Sequence, residues 1–462
     1  MTGMNRIKKF FCILLLTAVL VTGQSVPVMA ASETPDVQAT AAVLMDLKTG
    51  KILYEKNENK IMEPASITKV MTCMLVLRNL DLDKTVTIDR DMNVLGHTMD
   101  LKKGEKLTVR QLLYGMMVWS ANDAAVVLAE QVSGSVDSFA RLATKTAHGL
   151  GATSTVYKNP NGLNDVTGHV TTAKDLAVIC REAMKYKMFR KLVSTVRYTI
   201  PATNKSAARK LKSTNRLLYD TKTTVTINGE ERHLKYKGAF GIKTGETGTA
   251  GSCVAGGAKR GGTEFIAVVL DSPDNTSRFT DCITLLDYGF DNYHTYTAYK
   301  AGEAAGKVSI GHGSRLKVDA VAKKGIYATM SNEGSDSLVS KKVVMRDDLT
   351  APVKKGTKAG VVDLYADGEK VGQGTLVVSE SVSRGGPWTA IGISDMTALM
   401  IGIILAILLA LLILILNLRR KNRRALESHR RKAAEARQRQ EEEEARRIAA
   451  EKENKRRRDW PY

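Results

Sequence analysis

Three short runs carry most of the chemical information in this chain: Ser66-Ile67-Thr68-Lys69, Ser120-Ala121-Asn122 and Lys243-Thr244-Gly245, in that order. A serine hydroxyl is a poor nucleophile and needs a base within hydrogen-bond reach. On a helix, a lysine three residues on returns to the same face as the serine. It can serve as that base once burial and a second cation lower its pKa, and Lys243 is a candidate for the second cation. An ammonium at Lys243 and a hydroxyl at Thr244 suit a substrate carboxylate. Gly245 lets a substrate backbone approach the edge of the strand that these residues end. Ser120 and Asn122 fall where two helical patterns meet. There a side chain can point into a cleft, although Asn122-Asp123 would also cap the second helix well. The chemistry that joins these groups is acyl transfer through a serine ester.

Each run alone is weak, and the sequence supplies its own controls. Ser314-Arg315-Leu316-Lys317 repeats the first pattern and Ser213-Thr214-Asn215 the second. Ser66 follows Pro64, a residue favoured at helix starts. Ile67, Val70, Met71 and Met74 surround Lys69 with apolar side chains, so the segment from Ser66 to Leu77 reads as a buried helix. The start of that helix favours negative charge developing on a substrate oxygen. Ser314 instead follows Gly311 to Gly313 and precedes a strand-like alternation, with no helix start and no buried lysine. Ser213-Thr214-Asn215 lies in a polar stretch before Leu217-Leu218. It can be near the site, but nothing makes its hydroxyl a proton carrier.

The surrounding elements follow from pattern. Ala42 to Asp46 and Thr49 to Tyr54 read as two strands about a turn. Val109 to Val118, Asp123 to Val132, Thr171 to Met184 and Arg278 to Tyr288 read as helices. Thr223 to Tyr236 alternates around Asn228-Gly229, a strong hairpin signal. Phe240 to Lys243, Ser252 to Ala258 and Glu264 to Leu270 read as strands. After Asn292 the helical period gives way to short alternating runs, the mark of a small all-β domain. Lys307 to Ile310, Arg315 to Val321, Ile326 to Met330, Lys341 to Met345, Gly360 to Tyr365 and Gly374 to Val378 are its strands, with a turn at Asp367-Gly368. The expected organisation is a signal peptide over 1–30, a catalytic domain over 31–293, an all-β domain over 294–382 and a linker over 383–395. A transmembrane helix over 396–418 and a charged tail over 419–462 follow.

Arg6, Lys8 and Lys9 precede an apolar run that ends at the small-residue site Val28-Met29-Ala30, the form of a cleavable export signal. An uncleaved anchor is the alternative, and the cleavage pattern weighs against it. Met396 to Leu418 is 23 residues without a charge, long enough to cross a bilayer of roughly 30 Å. Arg419, Arg420, Lys421, Arg423 and Arg424 follow at once and set an expected cytoplasmic side. Of the net charge of +21, residues 419–462 carry +8. That tail cannot bury a core. It reads as a solvated helix or disordered segment attracted to anionic lipid, with room for an inner partner. Its place beside a membrane span argues against nucleic-acid binding. Cys73, Cys180, Cys253 and Cys282 form no Cys-x-x-Cys pair, and no metal or cofactor motif is present. Cys73 and Cys253 sit in apolar contexts and read as small buried residues.

The three runs and their flanks resemble the D-alanyl-D-alanine carboxypeptidases, the low-molecular-weight penicillin-binding proteins. Pro64 to Thr72 is similar to the nucleophile segment of that family, and Trp119 to Ala125 to its second motif. Asn159-Pro160-Asn161-Gly162-Leu163 and Thr171 to Ala177 are similar to its connecting segments. Gly241 to Thr247, with Ala250-Gly251, is similar to its third motif. The resemblance implies an α/β (α+β) penicilloyl-serine transferase fold, with helices around an antiparallel sheet. It also implies roles. Ser66 is acylated by the penultimate D-alanine of a peptidoglycan stem peptide, and Lys69 takes its proton. Ser120 relays a proton to the leaving amine, and Asn122 holds the substrate amide. Lys243 and Thr244 bind the terminal carboxylate beside Gly245. The backbone N–H groups of Ser66 and Glu246 form the oxyanion hole, and Arg278 adds charge for the carboxylate. β-Lactam antibiotics would then be inhibitors, and the reaction would regulate wall cross-linking.

Two other readings are weaker. A β-lactamase needs a base to clear the acyl-enzyme, often a glutamate between the second and third motifs. Glu182 is inside a helical pattern with no matching surround. A catalytically silent surface scaffold would be expected to lose Ser66, Lys69 or Lys243, and none is replaced. A Ser-His-Asp hydrolase lacks its Gly-x-Ser-x-Gly, and the seven histidines are scattered.

Overall fold

The computed structural model describes residues 34–163 and 167–458. The expected export signal lies outside the described residues. Through Tyr293 the chain first forms β1 (Ala41–Asp46) and β2 (Ile52–Lys56), then α1 (Lys69–Asn79). Strands β3 (Thr85–Thr87) and β4 (Lys106–Thr108) precede four helices: α2 (Val109–Val118), α3 (Asn122–Ser133), α4 (Val136–Gly149) and α5 (Ala173–Ala183). Helix α6 (Lys187–Val193) and two hairpins follow, β5 (Arg197–Ile200) with β6 (Arg209–Lys212) and β7 (Thr224–Ile227) with β8 (Glu230–His233). Three long strands, β9 (Ala239–Thr247), β10 (Gly251–Arg260) and β11 (Thr263–Ser272), lead into α7 (Ser277–Asn292).

The central sheet is antiparallel in the order β2-β1-β11-β10-β9, so β9 is an edge strand. Its two faces are both covered. Successive side chains of a strand point to opposite faces, and β1 divides accordingly. Ala41, Val43 and Met45 join the core shared with α1 to α6. Ala42 and Leu44 join the core shared with Phe279, Ile283 and Leu286 of α7. Helix α1 is buried from Lys69 to Val76, as its all-round apolar pattern requires. Each large side chain placed there contributes about 1.5–3 kcal/mol, which anchors the one charged residue that α1 carries into the core.

The expected helices and strands are present, with shifted ends. One difference matters for the site. Lys243-Thr244-Gly245 does not end its strand, because β9 continues through Glu246↔Ser252 and Thr247↔Gly251. Asn228 and Gly229 adopt φ of 50° and 80° between β7 and β8, the left-handed pair that a tight two-residue turn needs. Among the described residues, Cys73, Cys180, Cys253 and Cys282 are buried free thiols.

Beyond α7 lie β12 (Tyr293–Tyr299), β13 (Ala304–Ser309), β14 (Lys317–Ala322), β15 (Ile326–Ser331), β16 (Ser340–Met345), β17 (Lys358–Ala366) and β18 (Glu369–Val378). The described chain divides into two compact units. The first runs to Lys300 and includes 325–342 and 363–373; the second holds 301–324, 343–362 and 374–458. In the first, β12 pairs with β15. In the second, β13 pairs with β14, and β14 with the end of β18, over a core of Val308, Val318, Ala320, Leu376 and Val378. Helix α8 (Asp395–Arg458) is unbroken over 64 residues. Its apolar stretch is long enough to cross a membrane, and its charged half is helical rather than disordered.

Candidate active site

A cleft of about 390 Å³ opens beside the edge of β9. The turn before α1, the 96–97 loop, the α2–α3 junction, the 159–163 segment, the 214–219 segment, β9 and the start of α7 meet in it. Residues Ala65 to Thr68 form a 3₁₀ turn that starts at Pro64, and Lys69 opens α1 directly after it. Lys69 Nζ is thereby 2.8 Å from Ser66 Oγ. The same nitrogen is 2.6 Å from Asn122 Oδ1 and 2.8 Å from the backbone oxygen of Asn161. Lys69 is fully buried. Its pKa is held well below the usual lysine value, chiefly by burial and then by Lys243, with Asp123 pulling the other way.

The α2–α3 junction is built for display. Thr108 and Gln111 close a capping box at the start of α2, and α2 stops at Val118. Ser120 then turns left-handed at φ 66°, a conformation that costs a non-glycine residue of order 1–3 kcal/mol. Asn122 is the first residue of α3 and does not cap it; the N-cap position is Ala121, without a side-chain hydrogen bond. The Asn122 side chain turns instead to Lys69, while its Nδ2 donates to Leu95 O at 2.6 Å. Asp123 accepts from the backbone N–H groups of Met99 and Leu101, fixing the loop that carries Leu95.

Lys243 reaches the cleft from β9 and donates to Ser120 Oγ at 2.9 Å. Burial first, and the Arg278 charge second, pull its pKa down to about 7. Thr244 lines the cleft, and its hydroxyl lies 2.7 Å from that of Thr214. Gly245 makes room rather than a turn. A Cβ there would come within 3.0 Å of Ala65 Cβ and 3.1 Å of Ser66 N. Glu246 also lines the cleft, with Oε2 accepting from Asn275 Nδ2 at 3.0 Å. Arg278 is buried at the start of α7. It donates to Gly245 O at 3.0 Å, lies 3.4 Å from Glu246 Oε2 and also bonds Asn275. Any carboxylate drawn to Arg278 therefore meets a guanidinium already engaged by Glu246.

All nine residues singled out in the sequence thus lie in or against one cleft. Others were not read from the sequence. Asn161 acts through a backbone oxygen, and only the Pro-Asn-Gly run hinted at it. Gly162 is required there at φ 86°, since a Cβ would overlap Ala65 O at 1.8 Å. Thr214, Arg216 and Tyr219 line the cleft wall, so the control run Ser213-Thr214-Asn215 does reach the site through its middle residue. Glu182 of α5 is paired with Lys185, just beyond the helix, and is not among the cleft residues. The arrangement can deprotonate a serine hydroxyl, move a proton between Lys243 and Ser120, and hold an anion at the β9 edge.

Comparisons with known proteins place the chain in a family. The D-alanyl-D-alanine carboxypeptidase family model matches residues 28–274. The C-terminal domain of penicillin-binding protein 5 matches residues 293–384. D-alanyl-D-alanine carboxypeptidase DacF of Bacillus subtilis is 33% identical over 357 residues, 76% of this chain and 87% of that protein. DacC of Escherichia coli is 31% identical over 370 residues, 77% of this chain and 86% of that protein. The crystal structure of penicillin-binding protein 5 from Haemophilus influenzae superposes with a TM-score of 0.61 at 28% identity, covering 76% of this chain and 99% of that one.

Proposed function

The chain belongs to the D-alanyl-D-alanine carboxypeptidase family of serine hydrolases, and from that premise we propose that it removes the terminal D-alanine of peptidoglycan stem peptides through a Ser66 ester. The observation that carries the mechanism is the surround of Lys69 Nζ. Two carbonyl acceptors, Asn122 Oδ1 and Asn161 O, take two N–H groups. A neutral amine then has one lone pair left, directed at the Ser66 hydroxyl. Burial beside Lys243 favours that neutral form.

In this reading Ser66 Oγ attacks the penultimate D-alanine carbonyl as its proton passes to Lys69. The oxyanion is held by the backbone N–H groups of Ser66 and Glu246, where no charge is created by the donors themselves. The amide C–N bond breaks as the leaving amine takes a proton relayed through Ser120, with the Ser66 proton carried by Lys69 as its source, so that Lys69 returns to the neutral amine and Lys243 stays an ammonium on the carboxylate. Asn122 holds the substrate amide through its remaining Nδ2 hydrogen. Lys243 and Thr244 hold the terminal carboxylate, with Arg278 behind them. Water then cleaves the ester. Penicillin, with its own carboxylate and strained amide, enters the same path and stops at the ester. The α8 apolar stretch anchors the protein, with the catalytic unit outside the cell and residues 419–462 in the cytoplasm.

The test uses the full chain in detergent. D-alanine should be released from peptides ending in D-Ala-D-Ala, and a penicillin adduct should map to Ser66. Ring opening should stop after one equivalent and continue only slowly. Sustained rapid penicillin turnover without D-alanine release would make the protein a β-lactamase and overturn the reading.

A further inference from the structure

His169 is one of seven histidines and lies outside every run that carries the chemistry. It is 4% exposed, and both ring nitrogens are committed. Nδ1 accepts the backbone N–H of Lys158 at 3.2 Å. That fixes the tautomer, because a ring nitrogen that accepts bears no proton. Nε2 therefore carries the proton and donates to Thr68 Oγ1 at 2.8 Å. The ring packs edge-on against Tyr157 at 5.5 Å.

The two partners of the ring lead to the same atom. Thr68 is the last residue of the turn that holds Ser66, directly before Lys69. Lys158 opens the segment whose Asn161 oxygen accepts from Lys69 Nζ. That segment is tied to α1 again by Thr72, whose hydroxyl donates to Pro160 O at 2.6 Å. We infer that His169 is a positioning residue for the Lys69 base: one neutral imidazole clips the turn that carries Ser66 and Lys69 to the segment that supplies the Asn161 carbonyl. The clip keeps water out of the space around Lys69 Nζ and keeps its lone pair on the serine hydroxyl. Burial, with Lys158 as the nearby cation, drives the imidazole pKa down to about 4, so the clip is neutral near pH 7.

This inference rests on the proposed role of Lys69 as base. Its test is the pH profile of penicillin acylation by the full chain in detergent. The charged groups that face Lys69 are Lys243 from β9 and Asp123 from α3, and both remain in every variant. His169→Phe keeps ring volume and removes both hydrogen bonds. Acylation should slow by about tenfold or more, since each lost buried hydrogen bond is worth up to about tenfold. Its acidic limb should move to higher pH, because water admitted around Lys69 stabilises the ammonium. His169→Gln can still donate toward Thr68, and His169→Asn can still accept from Lys158. Each should recover part of the rate. Should His169→Phe fail to fold, that pair and the shape-retaining Thr68→Val decide by the same limb. A lower melting temperature with unchanged acylation rate and limb would leave His169 a structural residue and overturn the inference. Absence of acylation in the unmodified protein would instead overturn the proposed function, before any variant is compared.

Discussion

The same four-residue pattern occurs in both compact units, and only one copy meets the conditions for chemistry. Ser66 and Lys69 join through a 3₁₀ turn into a buried helix, and their side chains touch. Ser314 lies in a bend, where its hydroxyl is 3.2 Å from that of Ser383. Lys317 opens β14 and is exposed. The hydroxyl of Ser314 meets another hydroxyl and not a buried amine, so the second copy has a serine without a positioned base. Residue types set what chemistry is available; burial sets whether the lysine can do it.

The sharpest way to break this comparison is to delete both hydroxyls in turn. Ser66→Ala should reduce penicillin acylation and D-alanine release to background, and Ser314→Ala should change neither. An adduct on Ser314 would reverse the argument. Deleting the lysines comes next. Lys69→Met removes a positioned base and should slow acylation by about 10²–10⁴-fold, whereas Lys317→Met should be neutral in the same assay. The second pair of look-alikes gives a smaller effect. Thr214→Val removes the hydroxyl that meets Thr244 Oγ1, and kcat/KM for the peptide should fall by roughly tenfold or less. Ser213→Ala should leave kcat/KM unchanged.

The smallest effect is a shift along the pH axis. Lys243 binds a carboxylate only as the ammonium, so in the free enzyme this capacity is present below about pH 7 and lost as pH rises through it. Burial is the larger cause and Arg278 the second. Arg278→Gln removes a like charge, raises the Lys243 pKa and should move the alkaline limb of kcat/KM to higher pH. A limb that moves down, or does not move, would mean that Arg278 acts on Lys243 in some other way.

Much of the site was legible because its logic is local. A serine and a lysine on one helix face need only the helix, and apolar neighbours announce its burial. Ser120 and Lys243 were legible as separate runs, although their contact spans 123 residues. Asn161 and His169 were not legible as contributors. They reach Lys69 and Thr68 through a backbone oxygen and a ring nitrogen, across 92 and 101 residues. The Pro-Asn-Gly run hints at a tight turn at Asn161, but no local pattern marks either bond. Gly245 misled in a useful way. A glycine suggested a strand end, but here it keeps an edge strand running while the Ala65–Ser66 turn presses against it. Strands as short as β3 and β4, three residues each, show too little alternation to be seen.

Two residues beside the reacting atoms adopt left-handed backbone without being glycine, Ala65 at φ 44° and Ser120 at φ 66°. Glycine would relieve the strain at either position. A population selected for heat resistance alone would therefore be drawn toward Ala65→Gly and Ser120→Gly, and the second exchange would discard the hydroxyl that Lys243 holds. Persistence of Ser120 in such a population would mark continued selection for turnover, and its drift to glycine would be an early sign that turnover is no longer under selection.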